Sequence, residues 1–397
     1  MTNNQNQPNK YDAVLGGNSP PPIHGAVLGG IEGVKKRLAN SDVDVQISAL
    51  NDALNYGDVG LDLVIEALED KSAQIHYLVA YRLKRNENIK GKNALLKHNP
   101  KLYFTRLEDW GDDRYYDYKI GIQNPAEETY IVDCGNLTFL LQDQNVIQVE
   151  SLKCKIWSRE DSSEEFITIV DKVSNASQQL ASLKAVFIGD DSVDKSNYMK
   201  SCFTLGDVTP ILKAYPQLEL LQLRYGWDLQ FTPIEHKSLK SLVVQTGLMF
   251  IDSVIPAICS LKLPALEYLE LWLGGCHRYN EDVGTRQLLP ILTGKLFPNL
   301  KYLALRSGDY SDNIALCLAE FPTVLEQLLI LDLSMGTLTD KGAEALLNFS
   351  SINKLRMLDV SMNNLSDNMI QKLYELDCEV IAEPQDNEEL RYGTLYE

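Results

Sequence analysis

The chain has 397 residues and no C-x-x-C pair, and its seven cysteines (134, 154, 202, 259, 276, 317 and 378) are an odd number. That excludes the usual zinc-finger and dithiol spacings and argues against a complete disulfide framework. Cys259 in VIPAICSL and Cys317 in IALCLAE fall on apolar-periodic positions, so they read as small buried hydrophobes in a reducing compartment. Positive charge is scarce: 37 Lys and Arg stand against 55 Asp and Glu, a formal net charge of -18. Nucleic acid or an anionic membrane would need a basic stripe, so neither is expected as a partner. The acidity instead suits a surface-rich monomer that must stay soluble. No apolar run reaches the ~18 residues of a membrane span, and MTNNQNQPNK lacks the apolar core of a signal peptide. A cytoplasmic location is expected. The five histidines show no metal-ligand spacing, and no cofactor or metal is expected.

A repeated phrase is what the chain does have. LKAVFI, LELLQL, LKSLVV, LEYLEL, LKYLAL, LLILDL and LRMLDV begin at residues 183, 218, 239, 266, 300, 328 and 355, with apolar residues at positions 1, 4 and 6. A repeat of this length is one strand plus one helical stretch, which buries its apolar face only by stacking on its neighbours. VESLKCKIW (149–157) fits weakly, as an irregular first strand. Between the copies lie helical stretches at 251–261, 312–321, 339–349 and 366–376, with Thr339 and Ser366 as N-caps. EVIAEP reads as a last strand.

Residues 30–98 read as wholly helical. Asp42 is placed to cap a helix from Val43, and Gly57 and Gly60 are expected to break the chain. Two segments there align at an offset of 30 residues, placing Val45 over Ile75 and Ala49 over Val79, which suggests HEAT-like stacking. Residues 99–145 turn aromatic, and TYIVDC and LTFLL read as strands. This stretch is either a recognition patch or a cap on the first coil. The resulting division is a flexible leader (1–25), a HEAT-like helical module (26–98), a β-rich linker or cap (99–148), the repeat domain (149–384) and an acidic tail (385–397). The AVLGG echo of the leader lacks the spacing of a dinucleotide loop.

LDLSMGTLTDKGAEALL and LDVSMNNLSDNMIQKL resemble leucine-rich repeats of the ribonuclease-inhibitor type. Over about 145–397 the chain is similar to a bacterial leucine-rich-repeat family often encoded near WGR-domain proteins. Its N-terminal part, with GVKKRLA and YGDVGLDLVIEALED, resembles a HEAT-like module of cyanobacterial repeat proteins. The resemblance implies an α/β solenoid, a parallel-strand horseshoe with an N-terminal all-α module, and an interaction role without chemistry. The family places Asn at position 9. Here position 9 is Asp191, Gly226, Gly247, Gly274, Gly308, Gly336 and Asn363, so the side-chain ladder is expected to give way to backbone or water.

In such a horseshoe positions 1, 4 and 6 turn inward, and positions 2, 3, 5, 7 and 8 face the concave side or its rim. Its columns place Tyr268 beside Tyr302 and Trp272 beside Arg306. With Arg224, Glu270, Asp332, Met357 and Asp359 they form the expected concave site for a protein or peptide. Self-packing, with Arg306 as a cation–π lid on Trp272, is the alternative. Leu329, Ile330, Met335, Met357 and Met362 add an apolar strip that a partner or the tail would cover. Two further functions are open: a GTPase regulator using Arg224 or Arg306, and an enzyme such as a bilin lyase with Cys134 or Cys276 as nucleophile. Asp112–Asp113 and Asp190–Asp191 are acid pairs without a cation-loop spacing.

Overall fold

The computed structural model describes residues 30–85, 88–104, 107, 110–156, 162–189, 206–225, 229–246, 254–274 and 281–385. The leader with its AVLGG echo, Asp190–Asp191, Cys276, most of the acidic tail and position 9 of the first three copies lie outside them. The chain forms two compact units that divide between Tyr103 and Phe104, a little past the expected boundary at 98.

The first unit is helical: α1 (Gly30–Leu38), α2 (Val43–Ala53), α3 (Gly57–Glu66), α4 (Ala73–Arg85), α5 (Ile89–His98) and the short α6 (Pro100–Tyr103). Asp42 caps α2 as expected, accepting from Asp44 N–H. Ala49, Ile75 and Val79 lie in one buried cluster, while Val45 is half-buried. Gly57 starts α3 at a φ of +60°, where glycine is favoured. Gly60 does not break the chain but sits inside α3. A Cβ there would overlap the Ala53 carbonyl, so close helix approach is the reason for this glycine.

The second unit is built on eleven strands in one all-parallel sheet whose spatial order follows the sequence. It opens with β1 (Asp112–Tyr115), β2 (Glu128–Val132), α7 (Cys134–Leu140), β3 (Ser151–Lys155), α8 (Ser162–Asn175) and β4 (Ala185–Gly189). It continues with α9 (Thr209–Ala214), β5 (Leu220–Tyr225), β6 (Ser241–Thr246), α10 (Val254–Cys259), β7 (Tyr268–Gly274), α11 (Glu281–Leu292) and β8 (Tyr302–Gly308). It ends with α12 (Ser311–Glu320), α13 (Pro322–Gln327), β9 (Ile330–Asp332), α14 (Asp340–Leu347), β10 (Met357–Asp359), α15 (Asp367–Leu373) and β11 (Glu379–Ile381). One strand per coil in sequential order fits a repeat solenoid.

The phrase at 149 is therefore the third strand, and the sheet begins earlier, within the expected linker. LTFLL is helix, not strand. Asp133 accepts from Asn136 N–H and caps α7, and Leu137 and Leu140, three residues apart, are both buried. Thr339 and Ser366 cap α14 and α15 as expected.

Positions 1, 4 and 6 of the copies (Leu266, Leu269 and Leu271, for example) form one continuous core running through the coils. Two polar ladders run beside it. At the strand starts, position 2 alternates in sign from Glu150 to Lys301, so Lys184 bonds Glu150 and Lys240 bonds Glu219. At the helix starts, Asp312 accepts from Thr339 N and Oγ1 in the next coil, and Asp340 does the same for Ser366. Each N-cap is thus itself held by an acid from the preceding coil.

Candidate functional site

The sheet face built from positions 3, 5 and 7 carries every expected site residue. Register pairs Tyr268 with Tyr302 and Trp272 with Arg306, as the columns predict. Burial is different. Tyr268 is 1% exposed, Tyr302 3%, Glu270 0%, Asp332 2%, Met357 1% and Asp359 5%. Only Arg224, Trp272 and Arg306, at the position-7 rim, keep intermediate exposure. The picture of a solvent-facing concave surface is corrected accordingly. In the apolar strip, Ile330 is fully buried while Leu329, Met335 and Met362 are half-buried.

Two physical causes bury this face. Parallel strands ~4.8 Å apart let neighbouring side chains shield one another. In addition, a segment of the same unit lies on it. The Phe104 ring sits 5.3 Å from Tyr302, edge to face, and 6.0 Å from Tyr268, while the two tyrosines are 4.5 Å apart. Such aromatic geometries add ~0.5–1.5 kcal/mol per pair beyond area burial. Leu107 closes a second cluster with Ala185, Phe187 and Leu220, against which Trp110 packs. The Leu107 N–H donates to Gln222 Oε1 at 3.3 Å.

Beneath Phe104 lies a polar floor. The fully buried Glu270 accepts from Tyr268 Oη, from Trp272 Nε1 at 2.6 Å, from Gln245 Nε2 at 3.4 Å and from Arg306 at 3.4 Å. Tyr302 Oη donates to Asp332 at 3.1 Å, and Arg306 Nε donates to Ser334 Oγ at 3.0 Å. Arg306 also lies over the Trp272 ring at 5.3 Å, so the cation–π lid is present. Arg224 Nε donates to Gln245 at 2.7 Å. Asp332 and Asp359 each accept from the backbone N–H and hydroxyl of the serine two residues on, Ser334 and Ser361. A buried carboxylate is tolerable only when satisfied in this way, and the result is a rigid floor.

Position 9 differs between the last two copies. Asn363 keeps the side-chain ladder: its amide donates to the Leu333, Val360 and Ser361 carbonyls, and its Oδ1 accepts from Leu338 N–H. One coil earlier, at Gly336, the Thr337 N–H reaches the Gly308 carbonyl, and a hydroxyl joins that bond. Ser311 Oγ occupies that space, donating to Gly308 O and accepting from Thr337 N–H. A Cβ on Gly336 would overlap Ser311 Oγ and lie 3.1 Å from Asn363 Oδ1.

The expected nucleophile Cys134 is half-buried, with Lys172 Nζ 2.8 Å from its carbonyl and 3.6 Å from its Sγ. Burial pushes the Cys259 and Cys317 thiols up to about 11 and raises Cys154 further, so these three stay protonated and inert near neutrality. Among the described residues, no group of three His, Cys, Asp or Glu is placed to hold a metal ion. None of the described helices is long and apolar enough to cross a membrane.

At the first coils the aromatics divide. Tyr130 is fully buried, its Oη donating to Glu128 at 2.7 Å, and burial with that carboxylate pushes its hydroxyl up to about 12. Tyr118 and Phe139 are 61% and 50% exposed, with rings 5.6 Å apart, beside an open recess of about 520 Å³ that also meets Asp143 and Asn145. Cap and exposed patch therefore coexist.

No family model matches the chain, and no curated protein is significantly similar to it. Among solved structures, a Bacteroides fragilis structural-genomics protein is similar at 27% identity and a TM-score of 0.54, over 65% of this chain and 71% of that one.

Proposed function

We propose that the chain is a non-enzymatic interaction scaffold of the leucine-rich-repeat type, with a HEAT-like module ahead of it, and that the face carrying Tyr268, Trp272 and Tyr302 takes a protein or peptide. One observation carries this reading: that face already accommodates apolar side chains, Phe104 and Leu107, over a prebuilt polar floor. Binding without chemistry also suits the raised thiols of Cys154, Cys259 and Cys317. A GTPase-regulating role for Arg306 is less favoured, because its guanidinium would first have to leave Glu270 and Ser334.

The test is affinity purification of the full chain from its own cells, beside a Trp272→Ala variant. Trp272 is at the half-exposed rim, so the fold should survive its removal. The expected outcome is a partner retained by the wild type and depleted at least tenfold by the variant, which still melts cooperatively. Equal recovery of every captured protein would move the binding surface off this face.

A further inference from the structure

We propose that this face recognises a linear segment of the form aromatic-x-x-Leu-x-x-aromatic, and that Phe104, Leu107 and Trp110 are the chain's own copy of that ligand, held in cis. The proposal rests on reading the face as a peptide-binding surface, and it specifies which peptide and what competes for it.

The seats are separate and chemically distinct. Phe104 enters an aromatic seat formed by Tyr268 on β7 and Tyr302 on β8. Leu107 enters an aliphatic seat formed by Ala185 and Phe187 on β4 and Leu220 on β5. Trp110 stands half-buried at the margin of that second seat. Between the seats the Leu107 backbone N–H donates to Gln222 Oε1, a bond that any residue except proline could make. Spaced anchors plus a backbone bond from a side-chain amide are how grooves read linear motifs.

The floor is tied from below by bonds that do not run through Phe104. Tyr268 is held by Glu270, Tyr302 by Asp332, and Glu270 in turn by Trp272 and Arg306, none of which needs Phe104. A receptor fixed from below stays preorganised when vacated, which is what distinguishes a binding face from ordinary core. Because the cis segment is tethered, its effective concentration is of the order of mM, and a trans ligand must compete with it. The face is thus self-occupied until a better match arrives.

The experiment uses the full chain and a labelled, end-capped peptide FTRLEDWG, the sequence of residues 104–111, read by fluorescence anisotropy. In the vacated variant Phe104→Ser/Leu107→Ser, the peptide should bind at least tenfold more tightly than to the wild type. Adding Tyr302→Ala should cost most of that gain, and a peptide with Phe and Leu replaced by Ala should not bind. A vacated variant that melts cooperatively and still ignores the peptide overturns the proposal. If that variant does not fold, hydrogen exchange on the wild type decides: Leu107 N–H should exchange through an opening that leaves β5 to β8 protected. Exchange of Leu107 only on global unfolding overturns the proposal, because the segment is then core. A partner lost with Trp272→Ala but indifferent to the peptide would leave the scaffold reading standing and remove only this motif.

Discussion

The middle of the sheet and its C-terminal end solve the same problem differently. Around β7 and β8, position 5 and position 3 side chains join into a network under an aromatic occupant that comes from residue 104. From β9 to β11, adjacent coils are tied by side-chain-to-backbone bonds: Asn363 to four backbone groups, and Asp340 to the cap of α15. The first arrangement places its stabilisation on a surface that can be vacated. The second places it on backbone groups that must be paired once buried. The C-terminal coils should therefore be the rigid end, and the tyrosine face the adaptable one.

Asn363→Ala is the sharpest way to break that contrast. It orphans the Leu338 N–H and takes a donor from the buried Leu333 carbonyl, while the Val360 carbonyl keeps Gln385 Nε2. Each unsatisfied buried group costs about 1–3 kcal/mol, so a loss of about 3–5 kcal/mol is expected. Urea unfolding of the variant would measure it. A loss below about 1 kcal/mol would mean that water or a neighbour completes the ladder, and that the end is no more rigid than the middle.

Much of this architecture is legible in the residues themselves, for identifiable reasons. A phrase with apolar positions 1, 4 and 6 fixes β4 to β10, and the same alignment places Tyr268 against Tyr302 before any coordinate is known. The first two strands are hidden because β1 reads DDRY, exposed along its length, and β2 has Glu127 and Tyr130 at positions 1 and 4, where later copies have leucine or another aliphatic residue. LTFLL misleads because a short apolar run does not distinguish a buried strand from a buried helix turn. The covering of the tyrosine face could not be read at all. It depends on Phe104, more than 160 residues before Tyr268, and nothing local to either residue announces the contact. The Ser311 substitution for the missing asparagine is hidden for the same reason, since the replacing hydroxyl comes from the start of α12.

Gly336 tests whether that substitution is a true exchange of roles. Gly336→Ala drives a Cβ into Ser311 Oγ and crowds Asn363 Oδ1, and overpacking of this kind costs about 1–3 kcal/mol. Ser311→Gly in the same chain removes the clash. The pair should then cost at least about 1 kcal/mol less than the sum of the single changes, a coupling that a double-mutant cycle measures. Strict additivity would mean that Ser311 does not occupy the asparagine's place.

The smallest effect is a pH dependence ahead of both regions, at His236 between β5 and β6. Its ring is 3% exposed, with Nε2 3.0 Å from the Tyr215 carbonyl and Nδ1 accepting from Leu239 N–H at 3.1 Å. That pattern needs a neutral ring, with the proton on Nε2, because a protonated Nδ1 would face another donor. Burial holds the His236 pKa below its ordinary value, outweighing the Tyr215 bond that raises it. In the unfolded chain the ring takes up its proton near pH 6.5. Between that pH and the lower native value the unfolded state binds more protons, so stability falls as pH drops through this window and is steady above it. Wild-type stability should decline between pH 7.5 and 5.5. His236→Gln, although less stable at pH 7.5, should decline less over the same interval. Equal slopes would show that the native ring takes up its proton as readily as the unfolded one, and that the bond to Leu239 does not hold the tautomer.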